Sequence, residues 1–279
     1  MLAIALGLAA SASWGCSDFL GGLKSRTLQL LTVLLISQGA GLALVAVVVA
    51  VRGEPVPDAK YVAYACLSGV AGAMGLAAFY RGLAVGAMAV VAPIAGTAAV
   101  IPVAFGVLTG DRPSGVQAVG IALAIAGVAI ASRELPEEGG SARVAAGAGL
   151  ALLAAVGFGS FFVSMDAASD SDVFWAIFFN RVTSIAVLGL AALVARPRLK
   201  VARADMRALL AIGALDISAN ALFAAASTEG LVSLVAVLAS LYPVVTILLA
   251  RVVLGEHVRR VQQAGIASVL AGVALISAG

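Results

Sequence analysis

The sequence predicts an all-α, polytopic membrane protein: ten transmembrane helices in two inverted five-helix repeats around a central cavity. Three observations carry this expectation. First, hydrophobic residues make up 62% of the 279-residue chain and charged residues 11%, with a mean hydropathy of +1.12. Soluble domains sit near about 45–50% apolar and about 25% charged, so the surplus apolar surface has to face lipid. Second, residues 117–132 (Q-A-V-G-I-A-L-A-I-A-G-V-A-I-A-S) and 262–277 (Q-Q-A-G-I-A-S-V-L-A-G-V-A-L-I-S) share one frame at an offset of 145 residues. The chain is one hydrophobic unit written twice. Third, each copy holds an odd number of apolar segments, so the second must enter the bilayer upside down relative to the first.

A bilayer core of about 30 Å needs roughly 20 apolar residues per helix. Taken in order, the first segment, 2–23, carries Trp14-Gly15 and ends at Lys24-Ser25-Arg26. The second, 28–51, ends at Arg52-Gly53-Glu54-Pro55, and the third, 61–80, at Arg81. The fourth, 86–109, runs into Gly110-Asp111-Arg112-Pro113, and the fifth, 114–132, is the first copy of the shared frame. The stretch 134–143, with Pro136 and Gly139-Gly140, reads as a linker between repeats at 1–133 and 144–279. Segment 144–165 then carries Phe158-Gly159, which matches Trp14-Gly15 at an offset of 144, and 173–195 follows, up to the charged run from Arg196 to Arg207. Segments 208–228, 232–254 and 261–278 complete the second unit, with Gly255-Glu256 matching Gly110-Asp111. β-barrel spans would be shorter and would alternate apolar with polar. The 31 glycines and the abundant alanines suit helices that associate in lipid through small faces.

Several classes of function find no residues to run on. Cys16 and Cys66 fall inside apolar segments without metal-type spacing and read as small packed side chains. The single His257 sits in a polar turn beside Glu256. No Walker-type loop, histidine cluster or nucleophile elbow appears, so no metal, no cofactor and no enzymatic activity are expected. The net charge of +3 comes from basic residues in the loops, which report membrane orientation and not nucleic-acid binding. Those loops place Lys24, Arg26, Arg81, Arg133, Arg143, Arg196, Arg198, Lys200, Arg203, Arg207, Arg259 and Arg260 on one side, against Arg52, Lys60 and Arg112 on the other. The positive-inside rule then puts both termini outside. The first segment lacks the basic start of a signal peptide and reads as a retained helix.

Two five-helix repeats, each with an aromatic-Gly pair in its first helix and a Gly-acid step before its last, resemble the EamA-type transporters of the drug/metabolite transporter superfamily. Leu254-Gly255-Glu256 with the preceding P-V-V-T-I-L-L-A is similar to that family's second-repeat signature, and Trp14 to Gly22 (W-G-C-S-D-F-L-G-G) to its first-helix motif. The resemblance covers the whole chain. It implies a secondary transporter of a small organic metabolite, such as an amino acid or related compound, that works by alternating access, with export favoured over uptake. The implied setting is a bacterial cytoplasmic membrane, with a proton or substrate gradient as the energy source and a monomer or homodimer as the working unit. It also implies termini in the cytoplasm, opposite to the loop charge. An intramembrane enzyme acting on lipid and a channel-like membrane protein are the alternatives.

Charges inside spans are expensive and mark a pathway or a pairing. Asp18, Arg181 and Asp216 are three such charges. At 1.5 Å per residue, Arg181 and Asp216 differ in depth by about 6 Å, within reach of a guanidinium arm. Asn220 lies one turn beyond Asp216, Asn180 adjoins Arg181, and Gln38, Trp14 and Tyr242 fall near the same level. Trp14, Gln38, Asn180, Arg181, Asp216, Asn220 and Tyr242 are therefore the candidate substrate-binding layer. Arginine suits a carboxylate or phosphate, aspartate an amine or a proton, and aromatic rings a planar group. Each also has a structural alternative: a permanent Arg181–Asp216 tie, or packing roles for Trp14 and Tyr242. Asp18 lies only about 6 Å from a membrane face by the same ruler and reads as solvated at the cavity mouth.

Overall fold

The computed structural model describes residues 1–25, 27–85, 95–131, 141–197, 199, 201–254 and 260–278. Outside these fall the start of the fourth segment, the linker up to residue 140, Gly255-Glu256, His257, Arg259, Arg26, Arg133, Arg198 and Lys200. The first repeat holds helices α1 (Leu2–Ser25), α2 (Leu30–Arg52), α3 (Ala59–Val85), α4 (Val100–Thr109, entered through a 3-10 turn at Thr97–Ala99) and α5 (Gly115–Ala131). The second holds α6 (Ser141–Ser169), α7 (Val173–Ala195), α8 (Arg203–Thr228), α9 (Val232–Ala239), α10 (Tyr242–Leu254) and α11 (Arg260–Ala278). All regular structure among the described residues is helical.

Six of these helices are long and apolar enough to cross a membrane: α1, α2, α3, α6, α7 and α8. Four further apolar stretches are shorter: Thr97–Thr109, Gly115–Gly127, Val232–Thr246 and Gln263–Gly272. The segment expected as one helix over 232–254 is in fact two, parted at Ser240 and Leu241. Pro243 explains the break. It lacks the N–H that would bond the carbonyl one turn back, and it fits the first turn of a new helix.

Local chemistry ends the helices where the sequence turns polar. Asp172 caps α7, its carboxylate accepting from the N–H groups of Phe174 (2.9 Å) and Trp175 (2.8 Å). Ser114 and Gln117 form a reciprocal capping box at α5, with bonds of 2.9 and 3.2 Å. Gly53 closes α2 with φ 64°, a conformation glycine adopts freely. Large apolar side chains such as Val47, Leu108, Leu193 and Val252 stand exposed on the outer surface, as lipid-facing residues do.

The two repeats interlock by exchanging partners. Helix α1 packs on α8 and α10, and its counterpart α6 packs on α3 and α4. Helices α2 and α7 meet each other, as do α5 and α11. The exchange holds at single residues. A Cβ added at Gly15 would lie 2.8 Å from the Tyr242 carbonyl oxygen, and one at Gly159 would lie 2.8 Å from that of Ala98. Both pairs of positions are related by 144 (159 − 15 and 242 − 98). Ser268 Oγ donates to the Leu123 carbonyl at 3.0 Å, and these two positions are themselves equivalent at the 145 offset. All four glycines of the shared frame, Gly120, Gly127, Gly265 and Gly272, are buried. A Cβ on Gly272 would come within 2.7 Å of the Gly120 carbonyl oxygen. Bare backbone here permits close approach of α5 and α11.

Candidate functional site

Between the interlocked repeats lies a partly open cavity. Its polar wall consists of Gln38, Asn180, Arg181, Ser184, Asp216 and Asn220, with Asp18 beside it. Its aromatic wall consists of Trp14, Phe158, Phe161, Phe162 and Tyr242. All seven residues of the candidate layer line this one space.

Arg181 Nη2 meets Asp216 Oδ2 at 2.6 Å, with the arginine side chain 4% exposed and the aspartate 16%. Gln38 Nε2 donates to the same carboxylate oxygen at 3.0 Å. Helix α7 and helix α2 thus both reach for the acid on α8. The position equivalent to Asp216 at the 144 offset is Gly72, which also lines the cavity. One wall therefore carries a carboxylate where the other carries no side chain.

The neighbouring polar groups hold the layer in place. Asn180 Nδ2 donates to Ser68 Oγ at 2.9 Å, and Ser184 Oγ to the Gly69 carbonyl at 3.0 Å, so two bonds tie α7 to α3. Gly69 allows the approach, since a Cβ there would overlap the Asn180 carbonyl oxygen. Among the described residues, Arg181 Nε and the Tyr242 hydroxyl are buried and meet no hydrogen-bond partner. An unpaired buried donor costs about 1–3 kcal/mol.

Trp14 packs against Phe161, Phe162 and Phe223, its ring centroid 5.8–6.0 Å from theirs. Phe158 stands edge-on to Tyr242 at 6.5 Å. Trp14 and Tyr242 thus serve packing and line the cavity at once. Sequence reasoning missed Phe158, Phe161 and Phe162 as cavity residues, although Phe158 is the repeat equivalent of Trp14. It also set Asp18 apart at the mouth. Asp18 instead faces the same cavity, partly buried, and accepts a hydrogen bond from Tyr80 at 3.3 Å. The missed reach is that of Tyr80, a long side chain arriving from α3.

Apolar helices fit to cross a bilayer, folded as two interlocked repeats around a charged and aromatic cavity, define a multi-pass membrane transporter. Residues 1–133 and 145–278 each match the EamA-like transporter family, and the chain belongs to that family and so to the drug/metabolite transporter superfamily. One solved structure, described only as the crystal structure of a protein, superposes with a TM-score of 0.81 over 98% of this chain and 95% of its own. At 18% identity the likeness is one of fold. No curated protein matches.

Proposed function

We propose that this protein is a secondary transporter, working as an exporter, of a small organic metabolite such as an amino acid or related compound. It acts by alternating access in a bacterial cytoplasmic membrane. The membrane-crossing units number ten, α4 with its preceding residues and α9 with α10 each counting as one, and the two repeats are related by a pseudo-twofold axis in the membrane plane. The exchange of partners between repeats supports this arrangement.

The observation that carries the proposal is the pairing of Arg181 and Asp216 in a cavity with an aromatic wall. A guanidinium takes a carboxylate in a forked pair, a carboxylate takes an ammonium group, and aromatic faces take an apolar or planar side chain. An α-amino acid presents all three groups. Gln38, Asn180 and Asn220 add amide groups for the polar end of the cargo.

Saturable binding is the property that separates this reading from a channel. Purified protein in detergent, titrated with the proteinogenic amino acids and related carboxylates, should show a saturable rise in melting temperature with at least one of them. Melting unmoved by every compound, with rapid non-saturating flux in liposomes, would favour a channel-like protein.

A further inference from the structure

Besides Arg181–Asp216, the described residues hold two ion pairs between the repeats, and these differ in what they join. Lys24, in the last turn of α1, meets Asp205 in the first turn of α8 at 2.7 Å. Arg52 ends α2 and holds Asp172, the N-cap of α7, through bonds of 3.0 and 2.8 Å. Consecutive spans end on opposite faces of a membrane, so the two pairs lie on opposite faces. Arg52 shares its face with the start of α1.

Helix packing sorts the two pairs. Helix α1 packs on α8, α9 and α10, and α2 packs on α8. Helix α6 packs on α3 and α4, and α7 packs on α3. Each set mixes both repeats, and the cavity lies between the sets. Trp14, Gln38 and Asp216 line it from the first, and Gly72, Phe158 and Arg181 from the second. Lys24–Asp205 falls within the first set, whereas Arg52–Asp172 crosses from one set to the other. Two neighbouring contacts cross with it. Trp175 Nε1 donates to the Glu54 carbonyl at 3.2 Å, and the Arg52 guanidinium stands 4.7 Å from the centre of the Phe174 ring.

The crossing pair has no copy at the other face. Helices α2 and α7 are both 23 residues long, so their ends correspond at an offset of 143 (173 − 30 and 195 − 52). Arg52 then corresponds to Ala195, and Asp172 to Gln29, the N-cap of α2. Neither is charged. Asp111 also crosses between the sets, accepting from the Ser233 N–H at 3.2 Å and its hydroxyl at 2.7 Å. Its equivalent Glu256 is again an acid, so the one-sided chemistry belongs to Arg52 and Asp172.

We propose that Arg52 and Asp172 form a one-sided clasp that closes the face where α1 begins, so that the empty transporter rests with its cavity open to the other face; this rests on the transporter reading above. Rocking between inverted repeats exchanges equivalent contacts. When the cavity opens to the clasped face, Arg52 and Asp172 part while Ala195 and Gln29 approach. A contact made in one state only shifts the balance by its own strength. For a forked pair near the surface that is about fivefold.

The test reads which face reaches the cavity. Leu76→Cys, on the cavity wall, is placed in a background with Cys16 and Cys66 replaced. An impermeant thiol reagent is applied without cargo to sealed vesicles of each orientation, and protease access to an N-terminal tag identifies the clasped face. Labelling should be faster from the other face. Arg52→Gln, and Asp172→Asn, which keeps a good N-cap, should each raise labelling from the clasped face about fivefold, and the double variant no further. Lys24→Gln breaks a pair within one set and should leave both rates unchanged. Gln29→Asp with Ala195→Arg copies the clasp onto exposed positions of the other face and should slow labelling from there about fivefold. Unchanged rates in folded Arg52→Gln and Asp172→Asn would overturn the clasp, as would an equal rise in Lys24→Gln. Should both single variants fail to melt as folded proteins, the copied pair decides, and an unchanged rate there would overturn it too. Any of these results leaves alternating access standing. Equally fast labelling from both faces in wild type and in every variant would instead remove the transporter reading and favour a channel.

Discussion

Arg181 is 3% exposed, and its guanidinium meets the Asp216 carboxylate at 2.6 Å. Removing one member of such a pair costs about 3–5 kcal/mol, whereas replacing both with neutral groups of like shape is close to neutral. Arg181→Gln or Asp216→Asn alone should therefore lower the detergent melting temperature clearly, and the double variant should recover most of the loss. Single variants as stable as the double would mean that the charges do not depend on each other. This pair was legible in the sequence because charge inside an apolar run is rare enough to stand out. Phe158, Phe161 and Phe162 were not, because an aromatic on a membrane helix looks alike whether it faces lipid, core or cavity. A different residue-scale effect lies outside the spans, where Arg52 holds Asp172 through bonds of 3.0 and 2.8 Å. Burial pushes the Asp172 carboxyl up, but the bonds from Arg52 and from the N–H groups of Trp175 and Phe174 outweigh it and hold the group below the usual carboxylate range. A folded-state value below the unfolded one contributes stability above the unfolded value and loses it as pH falls through the folded one. The melting difference between wild type and Arg52→Gln should thus be steady near neutral pH and close in acid. A difference that stays constant down to strongly acidic pH would contradict the pairing.

At the scale of helices, apolar length and polar breaks fixed most of the boundaries, and close backbone contacts decide how the helices meet. Gly15 faces Val245 and the Tyr242 carbonyl, and Gly272 faces the backbone of Gly120 and Ala124, whereas Gly22 has open space around it. Overpacking a close contact typically costs about 1–3 kcal/mol, and more where backbone must move. Gly15→Leu and Gly272→Leu should each lower the melting temperature, while Gly22→Leu should leave it near wild type. Equal melting for all three would remove the packing role of the repeated glycines. The break between α9 and α10 was only half legible. Pro243 announces a missing donor, but a kinked single helix and two separate helices satisfy that equally well until neighbours are known. The neighbour here is α1, whose Gly15 lets its backbone approach Tyr242 at the break.

For the whole molecule, the repeat in the sequence foretold two like units but not how they interlock. Equivalent positions cannot reveal that Gly15 meets Tyr242, the repeat equivalent of the Ala98 that Gly159 meets, because that exchange lives in three dimensions. An inverted arrangement places equivalent loops on opposite sides of the membrane. Single cysteines at Gly53, after α2, and at Pro197, after α7, should therefore react with an impermeant thiol reagent from opposite sides, in a background with Cys16 and Cys66 replaced. Reaction from the same side would end the inverted repeat. The central claim is that the cavity between the repeats, with Arg181 and Asp216 at its polar wall, is where cargo binds. Counterflow of radiolabelled amino acids into liposomes holding the Arg181→Gln, Asp216→Asn double variant tests it most directly. The double variant should melt close to wild type and yet show no counterflow above empty liposomes; a variant that folds and exchanges cargo at the wild-type rate would make the pair a structural tie and place the cargo elsewhere.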